Sequence, residues 1–282
     1  MGRVGIVVDS GADLPDDVAT AAGISVVPLT IRFGDEQFLD RVTLSLEDFW
    51  HRVASSNYLP STAAPAPGAF LEVVNNLVAD GADSVVIVTL SRRLSASFQS
   101  ATVAAQECRV GVPVRVVDSQ SATMGQGLVA LAMAQQAQNG ASLDHVVAVG
   151  ESARERVGVL GMLDSLDHLV KGGRIGGARA LVGNLLSIKP LLTVRDGVVG
   201  EAGRQRTPTR ALTALADVVA SEKPLEALYI VHSTSPHLPL LRTLLDQRDL
   251  GVPIASAAMG PTIGTHAGPG LIGVAWLRGL PS

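Results

Sequence analysis

Short runs of valine and isoleucine recur along this chain, and each ends in small polar residues followed by a stretch of helical periodicity. Val4 to Val8 closes on Asp9-Ser10, Ser84 to Leu90 runs into SRRLSASFQSA, and Val114 to Val117 closes on Asp118-Ser119. A brief apolar run of this kind is a strand buried on both faces. Strands alternating with longer amphipathic stretches form a largely parallel sheet flanked by helices, so the fold class is α/β. In such a sheet ligands bind beyond the carboxyl ends of the strands, where helix amino-termini point inward. The polar residues after the three runs therefore mark the edge to search.

The remaining pattern fills in around these units. Ile24 to Phe33 reads as one strand, with a hairpin turn at Gly34-Asp35. Ser45 to Ser56 reads as a helix, opened by Ser45 with Asp48 three residues on in the manner of a capping box. Asn57 to Gly68 reads as an exposed loop, followed by a helix to about Ala79. Further helices are expected from near Ser95 and from Met124 to Gln138. Near residue 155 the texture changes. Val157 to Leu163 is strand-like, and LDHLVKGGRIGGARALVGN reads as a short helix, a glycine break and a second helix. Lys189 to Val199 reads as a hairpin turning at Asp196-Gly197, Thr207 to Glu222 and Leu238 to Gln247 as helices, Ala227 to Val231 as a strand, and the glycine-rich end finishes as a strand. Two α/β domains are expected, over 1–155 and 156–282.

Composition narrows the function. The 282 residues carry 22 Lys+Arg against 26 Asp+Glu, for a formal charge of -4, with only two Trp, two Tyr and five Phe. Such a chain lacks the basic field and the stacking rings of a nucleic-acid binder. One cysteine, Cys108, excludes a disulfide framework and a cysteine-rich zinc site. The first residues hold too short an apolar core for a signal peptide, and no window reaches membrane-spanning length, so a cytoplasmic protein is expected. The mean hydropathy of +0.33 comes from Ala, Val and Leu spread through periodic segments.

Familiar catalytic motifs are missing: GxxxxGK[ST], HExxH and GxSxG do not occur. A GxGxxG string at Gly268–Gly273 is followed by only nine residues, too few for the helix and strand of a dinucleotide site. What remains is a set of small polar residues in apolar surroundings. Ser95 can cap a helix, Thr62 lies between Pro60 and Pro65, and His266 stands among Gly264, Gly268 and Gly270. Each alone has an ordinary structural role. Together they form a carboxylate site with hydroxyl, backbone and imidazole donors, and no metal or cofactor is called for. A hydrolase using Ser95, His266 and Asp9 or Asp118 is the other chemistry these residues allow, but it lacks a nucleophile elbow.

The ordered strings VDSGADLP, LPSTAAPAP, LSRRLSASFQSA, VVDSQSATMGQG, LDHLVKGGRIGG and GTHAGPGLIGVAW resemble the DegV family of bacterial fatty-acid-binding proteins over nearly the whole chain. The resemblance implies two α/β domains with a long-chain fatty acid in an apolar tunnel between or within them. It implies that Thr62, Ser95 and the N–H of Ala96 hold the carboxylate, with His266 close by and stabilising the anion if protonated. It further implies a non-catalytic subunit that presents the carboxylate to a separate ATP-binding fatty acid kinase subunit, the acyl phosphate passing to acyltransferases of phospholipid synthesis. Arg206 falls near the family's basic Arg-Thr element, with a role in phosphoryl transfer or partner contact; Arg174 and Arg204 are the other partner candidates, in basic groups with Lys171, Arg179 and Arg210. A lipid sensor or store without a kinase partner is the alternative. The chain departs from the family in two places: Ala63 stands where a serine usually follows the threonine, and Leu94-Ser95-Ala96-Ser97 replaces Leu-Ser-Gly-Thr.

Overall fold

The computed structural model describes residues 2–56, 58–181 and 188–280. Its first sheet is wholly parallel, built from β1 (Val4–Asp9), β2 (Ile24–Val27), β6 (Ser84–Thr89) and β7 (Val114–Asp118) in the order β2-β1-β6-β7. Every residue of the two central strands is buried, in keeping with the apolar runs at Val4–Val8 and Val85–Val88. Side-chain alternation divides them between two cores. Val7, Val85 and Ile87 pack with α3 (Pro67–Ala79) and α4 (Ser97–Glu107). Ile6, Val8, Val86 and Val88 face the opposite side, towards α5 (Met124–Gln138).

That helix decides the architecture. Its residues from Met124 to Ala130 are all buried, because α5 packs on both the first sheet and a second one. The second sheet has the order β10-β9-β8-β13-β11-β12, from β8 (Val157–Met162), β9 (Lys189–Arg195), β10 (Val198–Gln205), β11 (Leu225–His232), β12 (Ile254–Ala258) and β13 (Ile272–Arg278). Only β11 and β12 run parallel within it. A Cβ at Gly125 would lie 2.5 Å from Val159 Cγ2, so only glycine allows helix and sheet to meet there. The outer face of the second sheet is covered by α8 (Pro208–Ser221) and α9 (Leu238–Asp246). The layers thus run helices, parallel sheet, α5 with α6 (Leu143–Arg156), mixed sheet, helices.

Several sequence expectations change. Ile24 to Phe33 is two strands, because Pro28 cannot donate to a ladder and the chain leaves the first sheet there. The second half, β3 (Thr30–Phe33), pairs instead with β4 (Glu36–Leu39), across the expected Gly34-Asp35 turn, and with β5 (Ser61–Ala63). The Asn57 to Gly68 segment therefore contains a strand, and that strand carries Thr62. Ser45 does cap α2 (Leu46–Ser55), accepting from Asp48 N at 3.1 Å. The glycine-rich end forms a short helix, α10 (Pro261–Ala267), before β13. Past α7 (Asp167–Lys171) the chain makes a tight 3-10 turn over Gly176–Leu181; the expected second helix there continues into Val182, Gly183 and Asn184, which lie outside the described residues.

Candidate functional site

A cavity of about 130 Å³ lies between the carboxyl edge of the parallel sheet and the inner face of the mixed sheet. One wall is Leu29, Leu90, Leu94 and Ala122, which follow β2, β6 and β7; the other is Val159, Leu192, Val194 and Val199 of the mixed sheet. Strands ending at a common edge turn into loops there, so one cavity gathers residues remote in sequence. α10 closes it with Thr262, Ile263, His266 and Ala267, and the segment through α7 adds Leu169 and Arg174.

Polar groups gather in one place. Thr62 Oγ1 and His266 Nε2 are 2.9 Å apart across 204 residues of sequence. Arg174 donates from Nε to Leu94 O at 3.1 Å and from Nη1 to Gly172 O at 2.6 Å, and its charge acts on His266. Gly172 is required here: a Cβ would sit 2.4 Å from His266 Nδ1. That nitrogen is buried and has no hydrogen-bond partner among the described residues. A proton on Nδ1 would have no acceptor, which favours the tautomer that donates from Nε2 to Thr62. The Thr62 hydroxyl hydrogen is then free to point at a ligand oxygen.

Burial, the Arg174 charge and His168 lower His266 from its ordinary 6.5 to about 4. The ring by itself is therefore neutral at pH 7, and the positive charge at this corner is that of Arg174. The sequence groups Arg174 with Lys171 and Arg179 as a basic cluster for partner contact; the structure sets it half-buried on the cavity.

Ser95 lines the cavity, and its Oγ lies 2.9 Å from Ser97 Oγ and accepts from Ser97 N at 3.2 Å, just before α4. Ala96 is the exposed cap position of that helix and is not among the cavity's lining residues. Arg204 is exposed and paired with Glu201. Arg206 is exposed just past the end of β10, seven residues beyond cavity-lining Val199; at ~3.3 Å per residue that is on the order of 20 Å along the strand. The structure does not bring Arg204 or Arg206 to the Thr62–His266 cluster. Ser95 and His266 are not hydrogen-bonded to each other. Asp9 is spent on Leu90 N, Gly11 N and Gln126, and Asp118 on Gln120 N and Arg92. No hydrolytic triad is assembled from these residues. Among the described residues no group of three or more His, Cys, Asp or Glu is placed to hold a metal, and no helix is long and apolar enough to cross a membrane.

Fold and site together define a class: a two-sheet α/β protein with a largely apolar internal cavity and one polar, cationic corner. The comparisons make this specific. A family model described as an uncharacterised protein family, DegV, matches residues 3–279, and the chain belongs to the DegV family. It is 32% identical over 278 residues to a DegV domain-containing protein of Listeria innocua, covering 97% of this chain and 98% of that one. A DegV domain-containing protein of Streptomyces coelicolor is 34% identical, over 96% of this chain and 97% of its own. Among solved structures, a DegV family protein from Thermus thermophilus described for its fatty acid binding superposes with a TM-score of 0.90 at 31% identity, covering 98% of this chain and 99% of that one. Bacillus subtilis DegV, described as a fatty acid binding protein, gives 0.84 at 26% identity, with 98% and 99% covered.

Proposed function

We propose that this protein binds a long-chain fatty acid, with the alkyl tail in the cavity between the sheets and the carboxylate at the Thr62, Ser95, Arg174 and His266 corner. The observation that carries the reading is that a cationic, hydroxyl-bearing corner opens onto a largely aliphatic cavity. Burial of each CH₂ is worth ~0.8 kcal/mol, so about 15 methylenes gain on the order of 12 kcal/mol before costs. Ordering the tail and losing translational freedom offset several kcal/mol of this, which leaves tight but reversible binding. At the head group the Thr62 hydroxyl, the Ser95 hydroxyl and Arg174 Nη2 donate to the two carboxylate oxygens, and neutral His266 orients Thr62. Ala96 contributes its N–H from the turn before α4. Residues 1–155 and 156–282 act as two domains, one on each side of the ligand.

The protein then acts as the non-catalytic subunit of a two-component fatty acid kinase. A bound carboxylate held by fixed donors keeps one oxygen in line for an incoming phosphoryl group, and positioning of that kind is most of what such transfer needs from the acceptor's side. Arg204 and Arg206, exposed and away from the head group, serve partner contact in this reading rather than the transfer itself. Native mass spectrometry of the purified protein, followed by solvent extraction, tests the binding. A one-to-one fatty acid is expected; a protein that is empty and refuses added fatty acids overturns the reading. Incubation of the loaded protein with ATP and a candidate kinase subunit tests acyl phosphate formation, and its absence with every kinase encoded alongside would leave a lipid carrier without that partner.

A further inference from the structure

α10 begins without a cap of its own. Gly260 has no side chain and Pro261 no N–H, so the first backbone donors are those of Gly260 and Thr262. Both are taken by buried carboxylates more than 200 residues away in sequence. Gly260 N donates to Asp13 Oδ1 at 2.9 Å. Thr262 gives its amide, at 3.2 Å, and its hydroxyl to the same oxygen, Asp40 Oδ2. Ser10 Oγ donates to that oxygen as well, at 2.8 Å, while accepting from Leu29 N. Arg41 Nε lies 3.7 Å from the other oxygen of Asp40. Burial pushes the Asp40 carboxyl above its ordinary range, while the Thr262 hydrogen bonds, Arg41 and the Ser10 hydroxyl oppose that shift.

A helix of seven residues does not hold itself in place, since isolated helices below ~12 residues are marginal in water. Its position comes from its contacts: Asp40 and Asp13 at the start, the Phe49 and Trp50 rings against Gly264, and His168 Nδ1 at 3.0 Å from Thr265 O. Four of the seven residues line the cavity, and His266 lies one turn, ~6 Å, beyond Thr262. A shift at Thr262 is therefore a shift at the imidazole.

We infer that Asp40 is a positioning residue for the carboxylate corner: by holding the amide and hydroxyl of Thr262 it fixes α10, and so sets where His266 meets Thr62. The geometry stands by itself; its consequence for affinity rests on the fatty-acid reading. Three variants grade the contact. Asp40→Asn keeps size and one acceptor, Asp40→Ala removes both, and Thr262→Val removes only the hydroxyl. The test reads the His266 ring ¹⁵N signals in delipidated protein and, separately, oleate affinity. Asp40→Ala is expected to move the His266 signals and weaken oleate binding by about tenfold or more, with Asp40→Asn intermediate. In a His266→Gln background the Asp40 change is expected to cost nothing further, whereas a merely structural role would add in full. Folded Asp40→Asn and Thr262→Val proteins with unmoved His266 signals, or full additivity in the double variant, overturn the inference. Should Asp40→Ala not fold, those two variants carry the same test. Wild-type protein that takes up no oleate would defeat the fatty-acid reading alone, and the His266 signals would still decide Asp40.

Discussion

Burial acts in opposite directions on the carboxylates and the histidine of this protein. It raises Asp9 to about 6 and Asp13 to about 7 from an ordinary 3.8, with Arg41 opposing the shift at Asp13. Between pH 4 and 7 the folded chain therefore keeps protons that the unfolded chain releases, so this contribution to stability is full below pH 4 and is lost as the pH rises. His266, lowered to about 4, works the other way: its contribution is present above 6.5 and lost as the pH falls towards 4. Asp13→Asn removes one term cleanly, since the amide mimics the protonated acid. The melting temperature of that variant relative to wild type should rise steadily from pH 4 to pH 7; a constant difference would show that Asp13 titrates normally. At the head group, Ser95→Ala and Thr62→Val should each weaken fatty-acid binding by about tenfold with the fold intact, as loss of a hydroxyl donor to a carboxylate predicts. Unaltered affinity in both would remove these hydroxyls from the site.

At the scale of elements, α5 carries the packing between the two sheets. Gly125→Val would drive a branched side chain into Val159 and Ser121. Overpacking of this kind costs roughly 1–3 kcal/mol, which for a chain of this size lowers the melting temperature by several degrees. Thermal unfolding checks it, and a neutral result would mean that α5 and β8 are not in contact. α7 and α10 play a different part, since they bring Gly172, Arg174 and His266 together. Gly172→Ala should disturb fatty-acid binding, because the new methyl meets the imidazole of His266 and the backbone carbonyl of His168; unchanged affinity in the folded variant would remove this glycine from the site.

For the whole molecule, a ligand spanning the space between two sheets couples their stabilities. Binding to the folded state alone at 100 times Kd adds ~2.7 kcal/mol. Delipidated protein should consequently melt several degrees below loaded protein, and re-addition of oleate should restore the difference. Identical melting curves for verified loaded and empty samples would mean that the ligand does not bind the folded state in preference to the unfolded one.

Local chemistry determined much of this protein. The buried strands Val4–Asp9 and Ser84–Thr89, the Ser45 cap and the turns at Gly34-Asp35 and Asp196-Gly197 follow from side-chain period, capping oxygens and turn residues, all of which act over a few positions. The ordered motifs along the chain identified the family by resemblance. Other features were decided only by distant contacts. Thr62 belongs to a strand because β3 is there to pair with it, and α10 forms in a Gly- and Pro-rich segment because Asp13 and Asp40 cap it from the other half. The neutrality of His266 and the inward position of Arg174 depend on burial, which arises only when the two sheets close over the same space. Sequence period tells which residues turn away from water; which of them line a cavity and which fill a core depends on the packing of both sheets around α5.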